Sequence, residues 1–284
     1  MDAAAAGREF AFTDRDFRRV CALIRERAGI ALTPGKRDMV YSRIVRRVRA
    51  CGSASFADYL DTLDTSGDDA EWQQFTNALT TNLTAFFRES HHFGVLERLL
   101  RERRGDAPLA IWCCAASTGE EPYSIAMTAC EAFDSPSPPV VVLATDIDTN
   151  VLATAARGVY PLERIDAIGE ARRKRFFQRG TGPNAGQCRV TPALRRLVEF
   201  RRVNLTDADA AMPAGPFAAI FCRNVMIYFD KETQHAVLRR LQPRLAPGGL
   251  FFAGHSENLL HAHDLFRPCG GTVYRSAGDA GARA

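Results

Sequence analysis

The run IWCCAASTGEEPYSIAM, from Ile111 to Met127, most narrows what this chain can fold into. An apolar stretch breaks at a turn of small residues, then passes into a helical pattern that opens on Glu120 and Glu121. Strand, tight loop and helix in that order are how open α/β sheets hold a nucleotide-like ligand beyond a strand's carboxyl end. A second apolar run, VVVLATDIDTNVL from Val140 to Leu152, carries Asp146 and Asp148 at its tip. A carboxylate there accepts from both hydroxyls of a ribose. Together the two segments predict an adenosine-bearing ligand on a doubly wound sheet.

The loop's glycines narrow the ligand further. A dinucleotide site wants G-x-G-x-x-G, so that backbone can approach a pyrophosphate. Here Gly119 is the loop's only glycine, and Glu120 and Glu121 follow it at once. Two carboxylates repel a pyrophosphate and suit a cation, such as the sulfonium and α-amino groups of S-adenosylmethionine. No G-x-x-x-x-G-K-[ST] phosphate loop occurs.

At 284 residues the chain is long for one domain, so two are expected. A formal charge of +4 gives no general pull toward nucleic acid. The eight cysteines are scattered without a C-x-x-C pattern, which speaks for reduced thiols and against a zinc site or a disulfide framework. The first residues lack the basic and apolar regions of a signal peptide, and no apolar run approaches the ~20 residues that span a bilayer. A cytoplasmic protein without membrane insertion is expected.

Residues 1–88 read as a small all-α domain. Thr13 with Asp14 and Asp16 opens a helix that Gly29 closes, and a second helix is expected from about Pro34 to Ala50. On that helix Val40, Tyr41, Ile44, Val45 and Val48 share one arc, while Arg43, Arg46, Arg47 and Arg49 fill the other. With no acid among them, the four arginines are read as a docking face for an acidic partner rather than a merely solvated surface. Residues 89–276 alternate strand and helix. Strands are expected at Leu109–Ala115, Val140–Thr145, Ala218–Cys222 and Leu250–Ala253, helices near Glu121–Ala132, Asn150–Ala156 and Lys231–Leu245, and an antiparallel edge strand at Thr272–Ser276. Short strands and Gly/Pro/Asn turns at about 174–205 predict a small antiparallel β insert, and residues 277–284 a disordered tail.

Five segments in one order carry a resemblance: TTNLTAFFRE (Thr80 to Glu89), AASTGEEPYSIAM (Ala115 to Met127), ATDIDTNVL (Ala144 to Leu152), FCRNVMIYFD (Phe221 to Asp230) and FFAGHSENL (Phe251 to Leu259). They resemble the bacterial chemotaxis receptor glutamate O-methyltransferases, the CheR family, and KRDMVYSRIVRRVR (Lys36 to Arg49) looks like that family's N-terminal domain. The resemblance implies a small N-terminal all-α domain, then a doubly wound, Rossmann-like methyltransferase domain that binds S-adenosylmethionine and carries the β insert. It implies methylation of glutamate side chains on the cytoplasmic helices of chemoreceptors, with glutamyl methyl esters and S-adenosylhomocysteine as products. The insert would sometimes bind a peptide from the receptor's C-terminus.

By motif position the resemblance puts Asn82, Thr84 and Arg88 at the cofactor, Glu121 on its amino group and Asp146 on the ribose. Asn204 and Leu205 fall near the adenine, Arg223 and Asn224 complete the pocket, and Tyr228 lies near the transferring methyl. Arg88 and Tyr228 are the catalytic candidates: Arg88 to grip the acceptor carboxylate, Tyr228 to direct a hydroxyl or wall the methyl. Each residue also has a structural reading: Asp146 as a helix N-cap, Glu121 as a partner of the helix dipole, Asn204 as a turn residue. A glutamate acceptor, with an ordinary pKa of about 4.3, arrives ionised and needs no general base, so His91, His92 and His255 are assigned structural roles. Cys222-Arg223-Asn224-Val225 stands where enzymes that methylate amide or adenine nitrogens carry N/D-P-P-Y, which argues against nucleic acid. The rival functions are methylation of a small carboxylic acid and a cofactor-binding regulatory module without turnover.

Overall fold

The structure is a computed structural model, and residues 8–106, 108–207 and 212–279 are described. The chain forms two compact units, one ending at Thr81 and taking in Tyr228–Asp230, the other starting at Asn82 and resuming at Lys231.

The first unit is helical: α1 (Asp14–Ala28), α2 (Arg37–Ala50), α3 (Phe56–Ser66) and α4 (Asp69–Leu79). Thr13 and Asp16 close a reciprocal capping box on α1, and Gly29 ends it in the left-handed region at φ 68°. The helix expected from Pro34 starts as a separate 3-10 turn, Pro34–Lys36, and becomes α-helical only at Arg37. Val20, Ile24, Val40, Ile44, Val48, Phe56, Leu60 and Phe75 are buried in this unit.

The basic face of α2 is not a free stripe. Arg43 donates to the carbonyls of Ala78 and Thr80, neutralising the C-terminal end of α4. Arg47 makes a two-pronged pair with Glu71 of α4, and Arg49 pairs with Glu9. The acids that the helix itself lacks come from elsewhere in the unit. Of the four arginines, Arg46 alone remains exposed without an assigned partner among the described residues.

The second unit holds α5 (His91–Glu102), β1 (Leu109–Cys113), α6 (Glu120–Phe133), β2 (Val140–Asp146), α7 (Thr149–Arg157), β3 (Val159–Pro161), α8 (Glu170–Phe176), β4 (Phe177–Arg179), β5 (Gln187–Val190), α9 (Pro192–Arg195), β6 (Val198–Arg202), β7 (Phe217–Cys222), α10 (Lys231–Leu241), β8 (Leu245–Ala253), β9 (Phe266–Gly270) and β10 (Val273–Ser276). The main sheet runs β6-β2-β1-β7-β8-β10-β9, parallel from β6 to β8, with β10 antiparallel to both its neighbours. Strand order reverses between β1 and β7, so the ligand crevice is expected at their carboxyl ends.

Four expected boundaries move. Val198–Arg202 pairs in parallel with Val142–Asp146 and belongs to the main sheet, so the small sheet is β3-β5-β4 and begins earlier, at Val159. The helix expected to Leu245 stops at Leu241, because Pro243 cannot donate to a continuing helix. Pro247-Gly248-Gly249 is a bulge inside β8, whose partner register jumps from Phe217–Leu245 to Ala219–Leu250. Strand β10 is interior, and β9 covers its flank as the edge strand. Of the expected tail, Ala277–Asp279 form a 3-10 turn whose Asp279 accepts from the Gly248 N–H at 3.1 Å; residues 280–284 lie outside the described residues.

Candidate active site

The first loop is built around two tight points. Gly119, at φ 100°, caps α6, and a Cβ there would fall 2.7 Å from the Tyr160 hydroxyl and 2.8 Å from the Ala155 Cβ. Glycine is therefore required by packing from behind the loop. Ser117, at φ 48°, donates its N–H to Asp146 at 2.8 Å and its hydroxyl to the Asn82 carbonyl at 3.2 Å. Asp146 also accepts from the Asp148 N–H at 3.0 Å, and burial pushes its carboxyl up to about 6 against those lowering bonds.

The N-cap of α7 is Asp148, which accepts from the N–H groups of Asn150 and Val151. Asp146 thus does not cap the helix, and its carboxylate stays at the carboxyl end of β2. The other oxygen of Asp148 accepts from the Asn82 amide at 2.8 Å, so the segment before α5 is fastened to both carboxyl-end loops.

Across the crevice, Arg223 follows β7 with a fully buried side chain. It lies 2.5 Å from Glu121 and 3.1 Å from Glu89, and it donates to the Arg88 carbonyl at 2.6 Å. Glu89 also accepts from the His255 N–H at 3.0 Å. Burial alone would raise the Glu89 pKa, yet that N–H and Arg223 together hold it below the usual value. The expectation of two acids facing a ligand is corrected. Glu120 is fully buried and turned to the Thr118 hydroxyl (2.6 Å) and Arg164, so only Glu121 stands on the crevice side, and it is already paired.

Backbone strain gathers in the same segments. Phe87 (φ 53°), Glu89 (φ 56°), Ser117 (φ 48°) and Asn224 (φ 56°) all occupy the left-handed region without being glycine, at a cost of about 1–3 kcal/mol each. The Asn224 turn is held by Glu257, which accepts from the N–H groups of Gly254 (2.6 Å), Asn224 (2.8 Å) and Met226 (2.8 Å). Glu257→Gln should leave one of these buried donors facing an amide NH2. A loss of about 1–3 kcal/mol in urea unfolding is expected; unchanged stability would mean the turn holds without it.

The other predicted residues are placed as follows. Arg88 is half-buried and donates to the Leu83 carbonyl at 2.9 Å; Thr84 is half-buried beside it in sequence. Asn204 accepts from the Thr206 N–H (3.1 Å) and hydroxyl (2.8 Å), so the turn reading holds for it. The Val203 N–H donates to the Asp146 carbonyl at 3.0 Å, which brings Asn204 and buried Leu205 to the tip of β2. Tyr228 ends the turn Met226–Tyr228 and groups with the helical unit, where its carbonyl accepts from the Ala31 N–H at 2.8 Å. His92 is buried against the Gly271 carbonyl (2.9 Å) and held neutral, its pKa lowered to about 4 by burial and then by Arg223. Glu89 and Glu257 escaped the sequence reading, although each lies inside one of the five segments.

The family model described as "CheR methyltransferase, SAM binding domain" matches residues 82–275, and "CheR methyltransferase, all-alpha domain" matches residues 15–80. The chain belongs to the CheR methyltransferase family. It is similar to chemotaxis protein methyltransferase 2 of Pseudomonas aeruginosa, 55% identical over 95% of each chain. It is 52% identical to the chemotaxis protein methyltransferase of Salmonella typhimurium (95% of this chain, 92% of the relative) and 49% identical to that of Escherichia coli (95% and 93%). This CheR chain is a methyltransferase, and its cofactor is S-adenosylmethionine. The crevice fits such a ligand. Glu89, Glu121 and Asp146 outnumber the single buried cation Arg223, and one buried Glu89 oxygen has no aligned hydrogen bond. That balance favours a cationic sulfur and amine over a phosphate. No described helix of this CheR chain is long and apolar enough to cross a membrane.

Proposed function

We propose that this protein methylates glutamate side chains on the cytoplasmic helices of chemoreceptors, giving glutamyl methyl esters and S-adenosylhomocysteine. One observation carries the reading: the buried carboxylates around Arg223 and the buried His92 are engaged, Glu121 and Glu89 with Arg223 and His92 with the Gly271 carbonyl. An acceptor that arrives ionised, as a glutamate does, needs no base from them.

In this reading S-adenosylmethionine supplies a methyl group on a positively charged sulfur. Asp146 accepts from the ribose hydroxyls, Glu121 holds the amino group, and Asn82, Thr84, Asn204, Leu205 and Asn224 line the pocket. Arg223 pairs with Glu121 and orients its carboxylate from behind. Arg88 grips the acceptor carboxylate through part of its planar fork, leaving a lone pair for attack. Tyr228 walls the methyl. Docking rests on Arg46, while Arg43, Arg47 and Arg49 brace the helical unit. The outer edges of β3 and β4 in the small sheet suit addition of a receptor C-terminal peptide. The protein works in the cytoplasm.

The test is transfer of labelled methyl to receptor-bearing membranes, followed by mild base. Label released as methanol is expected. Base-stable label would mean a nitrogen acceptor, and no label despite cofactor binding would favour another acceptor or a binding module.

The Asp146 assignment carries its own pH dependence. A carboxyl titrating at about 6 becomes neutral as pH falls, and a neutral acid accepts poorly from two hydroxyls. Calorimetry should find cofactor affinity falling about tenfold between pH 7.5 and pH 5, since each pH unit below the pKa removes about a factor of ten of the ionised form. Asp146→Asn should bind weakly at both values; a wild-type affinity flat with pH would end the ribose role.

A further inference from the structure

The segment from Asn82 to Glu89 is fastened at both ends. The Asn82 side chain donates to Asp148 and its carbonyl accepts from Ser117, Phe86 is buried, the Phe87 N–H donates to the Ser124 hydroxyl at 2.9 Å, and the Arg88 carbonyl accepts from Arg223. Yet Leu83, within this pinned stretch, is 78% exposed. Scattered exposed leucines need no explanation. This one differs, because its own carbonyl accepts from the Arg88 guanidinium at 2.9 Å. The residue whose carbonyl holds the cation therefore also shows an apolar side chain to solvent.

We infer that Leu83 is a specificity-determining contact for the acceptor: an apolar foot beside the carboxylate-gripping Arg88. The inference rests on the glutamate reading above. An acceptor helix that lays its glutamate on Arg88 has its neighbouring side chains one turn away, at three or four residues, on the same face. The acceptor that fits is a helix carrying a small or apolar side chain one turn from its glutamate, packed on Leu83. A free carboxylic acid has no such second point. The pinned backbone matters, since a contact on a loop that needs no ordering keeps more of its binding free energy.

Leu83→Ala keeps the carbonyl that holds Arg88 and removes only the apolar foot. With receptor-bearing membranes as acceptor, it should raise KM about tenfold, the size expected for losing most of one leucine's burial, while kcat falls less than twofold. Cofactor affinity measured by calorimetry should stay within twofold. Leu260→Ala, an exposed leucine (71%) in the turn Leu260–Ala262, serves as the control and should leave KM unchanged. An unchanged KM in Leu83→Ala, a rise matched by the control, or an equal loss of cofactor affinity would overturn the contact. Absence of any receptor methylation by the unaltered protein would instead remove the glutamate reading, and the contact with it.

Discussion

Arg223→Met is expected to destabilise the sheet-bearing unit by about 3–5 kcal/mol and to abolish measurable cofactor binding. Met is close to Arg in length and fills the space, so the effect isolates the charge. The guanidinium lies fully buried between Glu121 and Glu89 and also donates to the Arg88 carbonyl. Taking it away leaves two carboxylates in a poorly hydrated crevice, and breaking a buried pair costs far more than the pair contributes on balance. Glu121 would also lose the partner that orients it toward the cofactor's amine. Adding Glu121→Gln to Arg223→Met should therefore restore part of the stability without restoring binding. Urea unfolding and calorimetry read the two effects separately. A loss below about 1 kcal/mol would show that the pair is solvated enough to be dispensable.

Arg88→Ala should behave in the opposite way, with stability held and methyl transfer reduced about a hundredfold or more. Its side chain is half-buried and makes one assigned hydrogen bond, to the Leu83 carbonyl, so folding has little stake in it. Transfer has a large one if Arg88 orients the acceptor, because a misplacement of about 1 Å costs about a hundredfold. Arg88→Lys keeps the charge without the planar fork and should recover only part of the rate. Normal turnover in Arg88→Ala would sink the carboxylate-gripping role and point to a backbone group instead.

The sequence carried the parts of this site that repeat at short range. A strand, a small-residue loop and a helix opening on acids can be read from Ile111 to Met127, and so can an acid at the tip of Val140–Asp146, because each is local in the chain. What it did not carry were pairings over long separations. Glu121 meets Arg223 across 102 positions, and Glu120 meets Arg164 across 44. Reading the tandem acids as two ligands for one cation was reasonable locally and wrong for Glu120. The same blindness made α2 look like an open basic face, when Glu71 and the carbonyls at the end of α4 had already taken Arg47 and Arg43. Asp146 and Asp148 sit two residues apart, and the cap role read for Asp146 falls to Asp148; only the observed donors separated them.

Gly119 has a bearing on how such proteins can be recombined. Its missing side chain leaves room for Tyr160 on β3, whose hydroxyl also donates to the Thr118 carbonyl at 2.7 Å. The small sheet and the ligand loop are thus bolted together through one tyrosine. Exchanging the insert between relatives would succeed only if the graft brings a compatible residue at position 160. An otherwise well-folded chimera with a bulkier or displaced ring there would deform the loop that receives the cofactor, and would fail in chemistry far from the seam.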